Sequence, residues 1–173
     1  MAESYRTVVA TADIAVGYWS GLATAVWMGT TYPHHAASVK AAVDAAQATS
    51  TSGTVWLLQL VAPKAVVPDA RSRGALASML HSFDGVVSRS AVVHVGAGFR
   101  ASIIRSIVTG LNALGRQKFP HKVFAETEDA VEWFSRNGLE NQATVLRNLN
   151  AFHQAALSGS LQPVQSKLAV GAR

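Results

Sequence analysis

The sequence predicts an α/β domain with a mostly parallel sheet, and three observations lead to that prediction. Apolar runs of strand length recur along the chain, and from residue 36 onward they alternate with segments of helical periodicity. The helical segments are long enough to serve as crossovers between parallel strands. The first three apolar runs are instead joined by short turns, so antiparallel hairpins are expected at one edge of the sheet.

The amino-terminal third is expected to form three strands and a helix. Asp13 and the pair Ser20-Gly21 mark the turns between the strands. Pro33 suits the start of the helix, which is rich in Ala and carries apolar residues at helical spacing. The predicted segments are strands at 6–12, 14–19 and 22–28 and a helix at 36–49.

The middle of the chain alternates strands and helices. The run Thr54–Val61 (TVWLLQLV) is nearly continuous in apolar residues, which is typical of a strand buried on both faces. Gly115 is expected to cap the carboxyl end of the last helix in this part. The predicted segments are strands at 54–61 and 86–95 and helices at 69–83 and 99–114.

The carboxyl-terminal part is predicted to contain a short strand at 121–125 and two helices, at 127–134 and 139–157. Thr127 is the expected N-cap of the first helix, with Glu128 and Asp129 in its first turn. We therefore divide the chain into an α/β domain at 5–136, a further helical segment at 137–157 and a flexible tail at 158–173.

The composition excludes several function classes. The 173 residues contain no cysteine, which rules out disulfides, thiolate zinc sites and cysteine nucleophiles. Hydrophobic residues make up 49% and charged residues 14%, so a core is assured and part of the surface is expected to be covered by a partner. The net charge of +5 is spread out and lacks a basic helix face or interleaved aromatics, so nucleic acid is not an expected partner.

The longest uncharged run extends from Ile14 to Val39 and must be tested as a membrane span. Glycines, threonines, a proline and two histidines interrupt its apolar character, so no transmembrane segment is predicted. The first six residues do not have the pattern of a secretory signal. A cytoplasmic location is the expectation.

Three stretches together resemble the STAS-like proteins of bacteria, a family named for sulfate transporters and anti-sigma factor antagonists. They are Val61–Leu76 with Pro68 and Arg71, the run GFRAS at 98–102 with Arg105 and TGL at 109–111, and the pair of segments VFA at 123–125 and EDAVEWF at 128–134. The resemblance covers roughly Tyr5 to Phe134. It implies a small, non-enzymatic α/β module, regulatory or scaffolding, that works through contacts with other proteins.

The same resemblance implies a candidate switch. In the sporulation-type antagonists, a serine at the start of the helix after a central strand is phosphorylated. Ser72 lies near that place, flanked by Arg71 and Arg73, although the usual Asp-Ser-Ser-Gly signature is absent. Ser72 and Arg71 are therefore the candidate switch or contact residues.

A glycine-containing motif opens the helix predicted at 99–114. Residues 96–101 (GAGFRA) fit G-x-G-x-x-A, the local pattern of a dinucleotide site. The motif lies late in the chain and carries bulky and cationic residues, so a packing turn is the simpler interpretation and no cofactor is predicted. The helix amino terminus could instead bind an anion. The candidate ligand-binding residues are Gly96, Gly98, Phe99, Arg100 and Arg105.

No motif indicates catalysis or metal binding. His34-His35 is the only histidine pair, and adjacent side chains point in different directions, so no metal site is predicted. A nucleophile elbow, a P-loop and paired catalytic acids are also missing from the sequence. We name no catalytic residue, and an enzyme of unknown reaction remains the third alternative.

Two sets of apolar side chains could be either core or interface. Trp19, Trp27 and Trp56 lie on predicted strands. Leu146, Leu149 and Phe152 lie on the last helix, which could cover its own sheet or dock on a second copy in a homodimer. A contact module predicts an exposed apolar patch, whereas a binder of a small apolar ligand predicts a closed cavity lined by Trp and Leu. An enzyme predicts converging polar groups with shifted pKa values.

Overall fold

The computed structural model of the chain describes residues 5–94 and 99–163. Within these residues it has the predicted α/β class and the predicted order of strands and helices. The strands are β1 Arg6–Ala10, β2 Ile14–Trp19, β3 Leu22–Trp27, β4 Val55–Val61, β5 Val87–His94 and β6 His121–Phe124. The helices are α1 His35–Thr49, α2 Ala70–Ser82, α3 Phe99–Gly115, α4 Thr127–Ser135 and α5 Gln142–Leu157.

The sheet has its strands in sequence order from β1 to β6. The first three strands pair antiparallel, and β3 to β6 pair parallel. Each parallel crossover therefore moves one strand further in the same direction. Right-handed crossovers that all advance one way place their helices on the same side of the sheet.

The three crossover helices cover one side, which we call the crossover face. Val39 and Val43 of α1 and Leu80 of α2 pack there against Leu57 of β4. Leu111 of α3 belongs to the same apolar cluster. Because helix α1 presents mostly alanines and valines to the sheet, it lies close to β2 and β3.

The last two helices cover the opposite side, which we call the return face. Phe134 of α4 and Leu149 of α5 are completely buried there. Phe152 lies over β2, where a Cβ on Gly17 would be 2.9 Å from the phenylalanine ring. Tyr5 stacks on the same ring, with 4.7 Å between centroids. The last helix thus covers its own sheet.

Several element boundaries differ from the sequence prediction. Helix α3 continues through Gly115, and the left-handed residue that ends it is Arg116, with φ of 50°. Thr127 is the first helical residue of α4, and Glu126 occupies the N-cap without a side-chain hydrogen bond. Helix α5 begins at Gln142 because Gly138 and Asn141 have positive φ, which interrupts a helix.

The first strand is also shorter than predicted. It ends at Ala10 because Thr11 and Ile14 close a turn, in which the Thr11 hydroxyl accepts a hydrogen bond from the Ile14 amide at 3.1 Å. At the other end of the chain, Leu161 of the predicted tail packs against the return face. No helix in the described ranges is long and apolar enough to cross a membrane.

Candidate functional site at the carboxyl edge of the sheet

The parallel strands β3 and β4 end side by side and are followed by two loops, at 28–34 and 62–69. Loops at the carboxyl ends of parallel strands often carry functional residues, because a rigid sheet positions them. Helices α2 and α3 begin at this same edge, because each follows a parallel strand. This edge is therefore the place to look for a functional surface.

Hydrogen bonds hold the two loops together. The Ala62 amide donates to the Trp27 carbonyl and the Val66 amide to the Gly29 carbonyl, each at 2.9 Å. Asp13 also fixes the first loop, because its carboxylate accepts from the Thr30 amide at 2.7 Å. The surface formed by these loops is therefore ordered by backbone bonding.

This ordered frame carries large apolar side chains on the outside. Val66 is 52% exposed, Val67 42% and Tyr32 45%. We call these three residues the edge patch. Single exposed apolar residues are common on protein surfaces, whereas a group held on two bonded loops indicates an interaction surface.

An open groove of about 460 Å³ adjoins the edge patch between the second loop and helix α3. Its apolar wall is formed by Val67, Ile103 and Ile107. Arg73 lines the groove as well, and its guanidinium donates to the Pro68 carbonyl at 3.0 Å. A fixed cation thus lies beside an apolar trough.

The helices that form the groove carry further cations. Arg71 is exposed on α2, and Arg105 is exposed on α3. Asp69 is the nearby acid, but it caps α2 by accepting from the Ser72 amide at 2.7 Å. That hydrogen bond lowers the pKa of Asp69, and Arg71 and Arg73 act in the same direction.

The candidate switch serine lies next to this groove but points inward. Ser72 is buried, and its hydroxyl donates to the Thr31 carbonyl at 2.8 Å. This bond ties the start of α2 to the first loop. A kinase would reach the hydroxyl only if the first turn of α2 moved away. Arg71, by contrast, is exposed and free to contact a partner.

The predicted anion site falls largely outside the described residues. Gly96 and Gly98 are not described, and for Phe99 and Arg100 the structure describes the backbone, in the first turn of α3. Arg105 is exposed one turn further along. Anion binding by these five residues stays a prediction.

The histidine pair begins α1. His35 is buried, and its Nδ1 accepts a hydrogen bond from the Tyr32 amide at 3.2 Å. Burial lowers the pKa of His35, and the neighbouring His34 adds to the effect. A neutral ring is needed for Nδ1 to accept, so the pair stabilises the helix start. Among the described residues, no three His, Asp or Glu side chains come together as a metal site.

The groups with shifted pKa values do not converge in a cleft. Burial raises the pKa of Tyr5 on the return face, where its hydroxyl bonds that of Thr24 at 3.0 Å. Burial also lowers the pKa of His121 on β6 and of His153 on α5. Within the described part of the chain, these groups lie on different elements and form no acid–base arrangement at the edge.

The predicted interface residues of the last helix lie inward. Leu149 and Phe152 are buried in the return face, and Leu146 is half-buried at its margin. Trp19, Trp27 and Trp56 lie on strands as predicted, and Trp27 and Trp56 are buried. Among the residues that the structure describes, three of the four large apolar side chains that are exposed, Tyr32, Val66 and Val67, are on the loops, which the sequence pattern did not single out.

Comparisons with protein-family models, with curated proteins and with solved structures found no match for this chain.

Sequence reasoning also missed two polar residues inside the sheet. Gln59 is the single polar residue of the buried run at 55–61, and its Oε1 accepts from Trp27 Nε1 at 3.2 Å. A polar residue within an otherwise apolar strand is a sequence signal that could have identified Gln59. His121 begins β6 and faces the interior between the sheet and the helices. No sequence motif marks His121, because its neighbours come from distant parts of the chain.

Proposed function

We propose that this protein is a non-enzymatic, STAS-like contact module that binds an acidic, apolar segment of a partner protein along the groove beside the edge patch. The observation that carries the proposal is the exposure of Val66, Val67 and Tyr32 on loops that are fixed by backbone hydrogen bonds. The resemblance to STAS-like proteins supports a regulatory or scaffolding role of this kind.

The groove supplies both parts of such an interface. The apolar side chains of Val67, Ile103 and Ile107 provide surface that gains from removal of water. Arg73, held against the Pro68 carbonyl, provides a preorganised cation that a carboxylate can bind. Preorganised side chains lose less entropy on binding than mobile ones.

The charge of the chain favours an acidic partner over a second copy. The net charge is +5, Arg73 lines the groove, and Arg71 and Arg105 are exposed on the two helices that form it. Two copies that met through this groove would bring like charges together, which opposes association. An acidic segment would instead be attracted over a distance of about 10 Å at moderate salt.

The experiment is a selection from a library of short random peptides displayed on phage, followed by measurement of Kd for the enriched peptides. We expect enriched peptides to combine apolar residues with Asp or Glu. Val67→Asp should weaken their binding at least about tenfold, because it places a charge in the apolar wall and repels the peptide. Their Kd should rise with salt concentration.

The matched control is Leu157→Asp, which makes the same change at an apolar residue that is 49% exposed on α5. This variant should bind the selected peptides as well as the unmodified chain does. Equal binding by the Val67→Asp variant would refute the groove as the contact surface. A Val67-dependent dimer in sedimentation would instead assign the groove to a second copy.

A further inference from the structure

A cavity of about 70 Å³, open toward the second loop, lies between the crossover face of the sheet and helices α2 and α3. Aliphatic side chains form most of its wall, including Leu76 and Leu80 of α2, Val92 of β5 and Val108 of α3. Val66 and Pro68 of the second loop line it on the side of the carboxyl edge. The cavity is distinct from the open groove, which lies on the outer side of the loop and α3.

One polar side chain in the cavity wall, that of His121, has no hydrogen-bond partner among the described residues. Both of its ring nitrogens are shielded from solvent. Burial lowers the pKa of His121 to about 4, so the ring is neutral at pH 7. A neutral imidazole offers one N–H donor and one nitrogen acceptor.

A second unpaired group lies beside this histidine. Ser90 pairs with His121 in the ladder between β5 and β6, so both side chains are on the same face of the sheet. The buried Ser90 hydroxyl also has no hydrogen-bond partner among the described residues. Buried polar groups are nearly always satisfied in native proteins, so an unpaired imidazole that lines a cavity, with an unpaired serine as its ladder neighbour, indicates an occupant.

The cavity dimensions and chemistry define that occupant. Its volume exceeds the roughly 30 Å³ that one water takes up in the liquid and is below the roughly 150 Å³ of a cavity that holds benzene. The aliphatic wall excludes a charged group. A hydroxyl group can either donate to the acceptor nitrogen of the neutral imidazole or accept from its N–H group.

We propose that this cavity binds the hydroxyl end of an uncharged aliphatic alcohol, with the hydroxyl hydrogen-bonded to His121 and the carbon chain packed among Leu76, Val92 and Val108. The alcohol can be a short molecule or the end of a longer chain, and in both cases its carbon chain extends past Val66, because the cavity is smaller than one that holds benzene. Ordered water is the competing occupant.

The test is a titration of the full chain by NMR with 1-butanol and with n-pentane, which has a similar size and no hydroxyl. Backbone amide signals and the ring nitrogen signals of His121 are followed. We expect 1-butanol to shift both ring nitrogens and the amides of Leu76, Val92 and Val108. We expect n-pentane to bind at least about tenfold more weakly, because it leaves the imidazole unpaired.

Variants assign the effect to the histidine. His121→Phe keeps a ring of similar size without nitrogen, and it should reduce the preference for 1-butanol to within about twofold. The matched control is His153→Phe on α5, whose ring is also partly buried but lies on the return-face helix. This control should retain the tenfold preference.

Equal binding of the two probes to the unmodified chain would overturn the proposal, and so would contacts from His121 to water alone in the presence of 1-butanol. Both results are obtained with the unmodified chain, so the proposal can be refuted even if the His121→Phe protein does not fold. A further titration with 1-octanol separates the two sources. If 1-octanol binds more tightly than 1-butanol, the occupant is the end of a long chain. If 1-octanol does not bind, the occupant is a short alcohol.

Discussion

The two faces of the sheet are filled in different ways. On the return face, the rings of Trp56, Phe134 and Phe152 occupy the space between sheet and helices, and Gly17 leaves room for one of them. On the crossover face, the helices contribute mainly alanine, valine and leucine, and a cavity remains beside His121. The crossover face contains rings as well, among them Trp27 and Phe83, but the space beside His121 is lined mainly by aliphatic chains. That space borders the second loop, whereas an open depression of about 800 Å³ lies at the margin of the return face, beside Met28 and Ala156.

The first prediction, with the largest expected change in stability, compares one buried leucine on each face of the sheet. Leu149 on the return face and Leu80 on the crossover face are both buried, and Leu80 lines the cavity. Leu149→Ala should reduce the free energy of unfolding by about 3–5 kcal/mol. Leu80→Ala should cost about 2–3 kcal/mol, because atoms beside a void have already lost contacts. Urea denaturation measures both values, and equal costs would contradict a looser crossover face.

The second prediction concerns pH and His121. Its pKa is about 4 in the folded chain and about 6.5 when unfolded, so between these values the unfolded chain takes up the proton first. Stability is therefore complete above pH 6.5 and falls as the pH drops toward 4, by about 3 kcal/mol at most. Urea midpoints measured from pH 7.5 to 4.5 should show this fall.

The matched variants for pH are His121→Phe and His153→Phe. The first should lose most of the decline, whereas the second should keep most of it, because His153 is only about half-buried. A decline of the same size in the His121→Phe protein would mean that other groups account for the pH dependence.

The third prediction compares two glycines. A Cβ on Gly17 would lie 2.8 Å from the Arg6 carbonyl and 2.9 Å from the Phe152 ring, so Gly17→Ala should destabilise by about 1–3 kcal/mol. Gly74 lies within α2, and a Cβ there would meet nothing within 4 Å. Gly74→Ala should stabilise by about 0.5–1 kcal/mol. Thermal unfolding measures whether each substitution stabilises or destabilises the protein. If Gly17→Ala leaves the stability unchanged, α5 can shift away from the sheet.

The fourth prediction, with the smallest expected change in stability, compares two neighbouring valines on β5. Val92 faces the cavity and Val93 faces the packed return face. An added methylene at Val92 enters empty space, so Val92→Ile should stabilise by about 0.5–1 kcal/mol. Val93→Ile should destabilise by about 1 kcal/mol, because it overpacks a filled region. The same sign for both substitutions would show that the two faces are equally packed.

Sequence reasoning predicted the elements well and the candidate site poorly. Hydrophobic periodicity and turn residues depend on neighbours along the chain, so they identified β4 as a buried strand and located α2 and α3 within a few residues. The edge patch was missed because the exposure of Val66 depends on the hydrogen bond from its amide to Gly29, far away in sequence. Ser72 was selected by its place in the chain, which does not reveal that its hydroxyl points to Thr31.

The α/β class, the order of strands and helices and the antiparallel start of the sheet follow from local periodicity and from the length of each connection, so they can be predicted from the sequence. Three features depend on tertiary contacts: α5 covers its own sheet, the loops after β3 and β4 expose the edge patch, and His121 lines a cavity next to its ladder partner Ser90. Burial and polar pairing depend on contacts between distant segments, which no local pattern encodes.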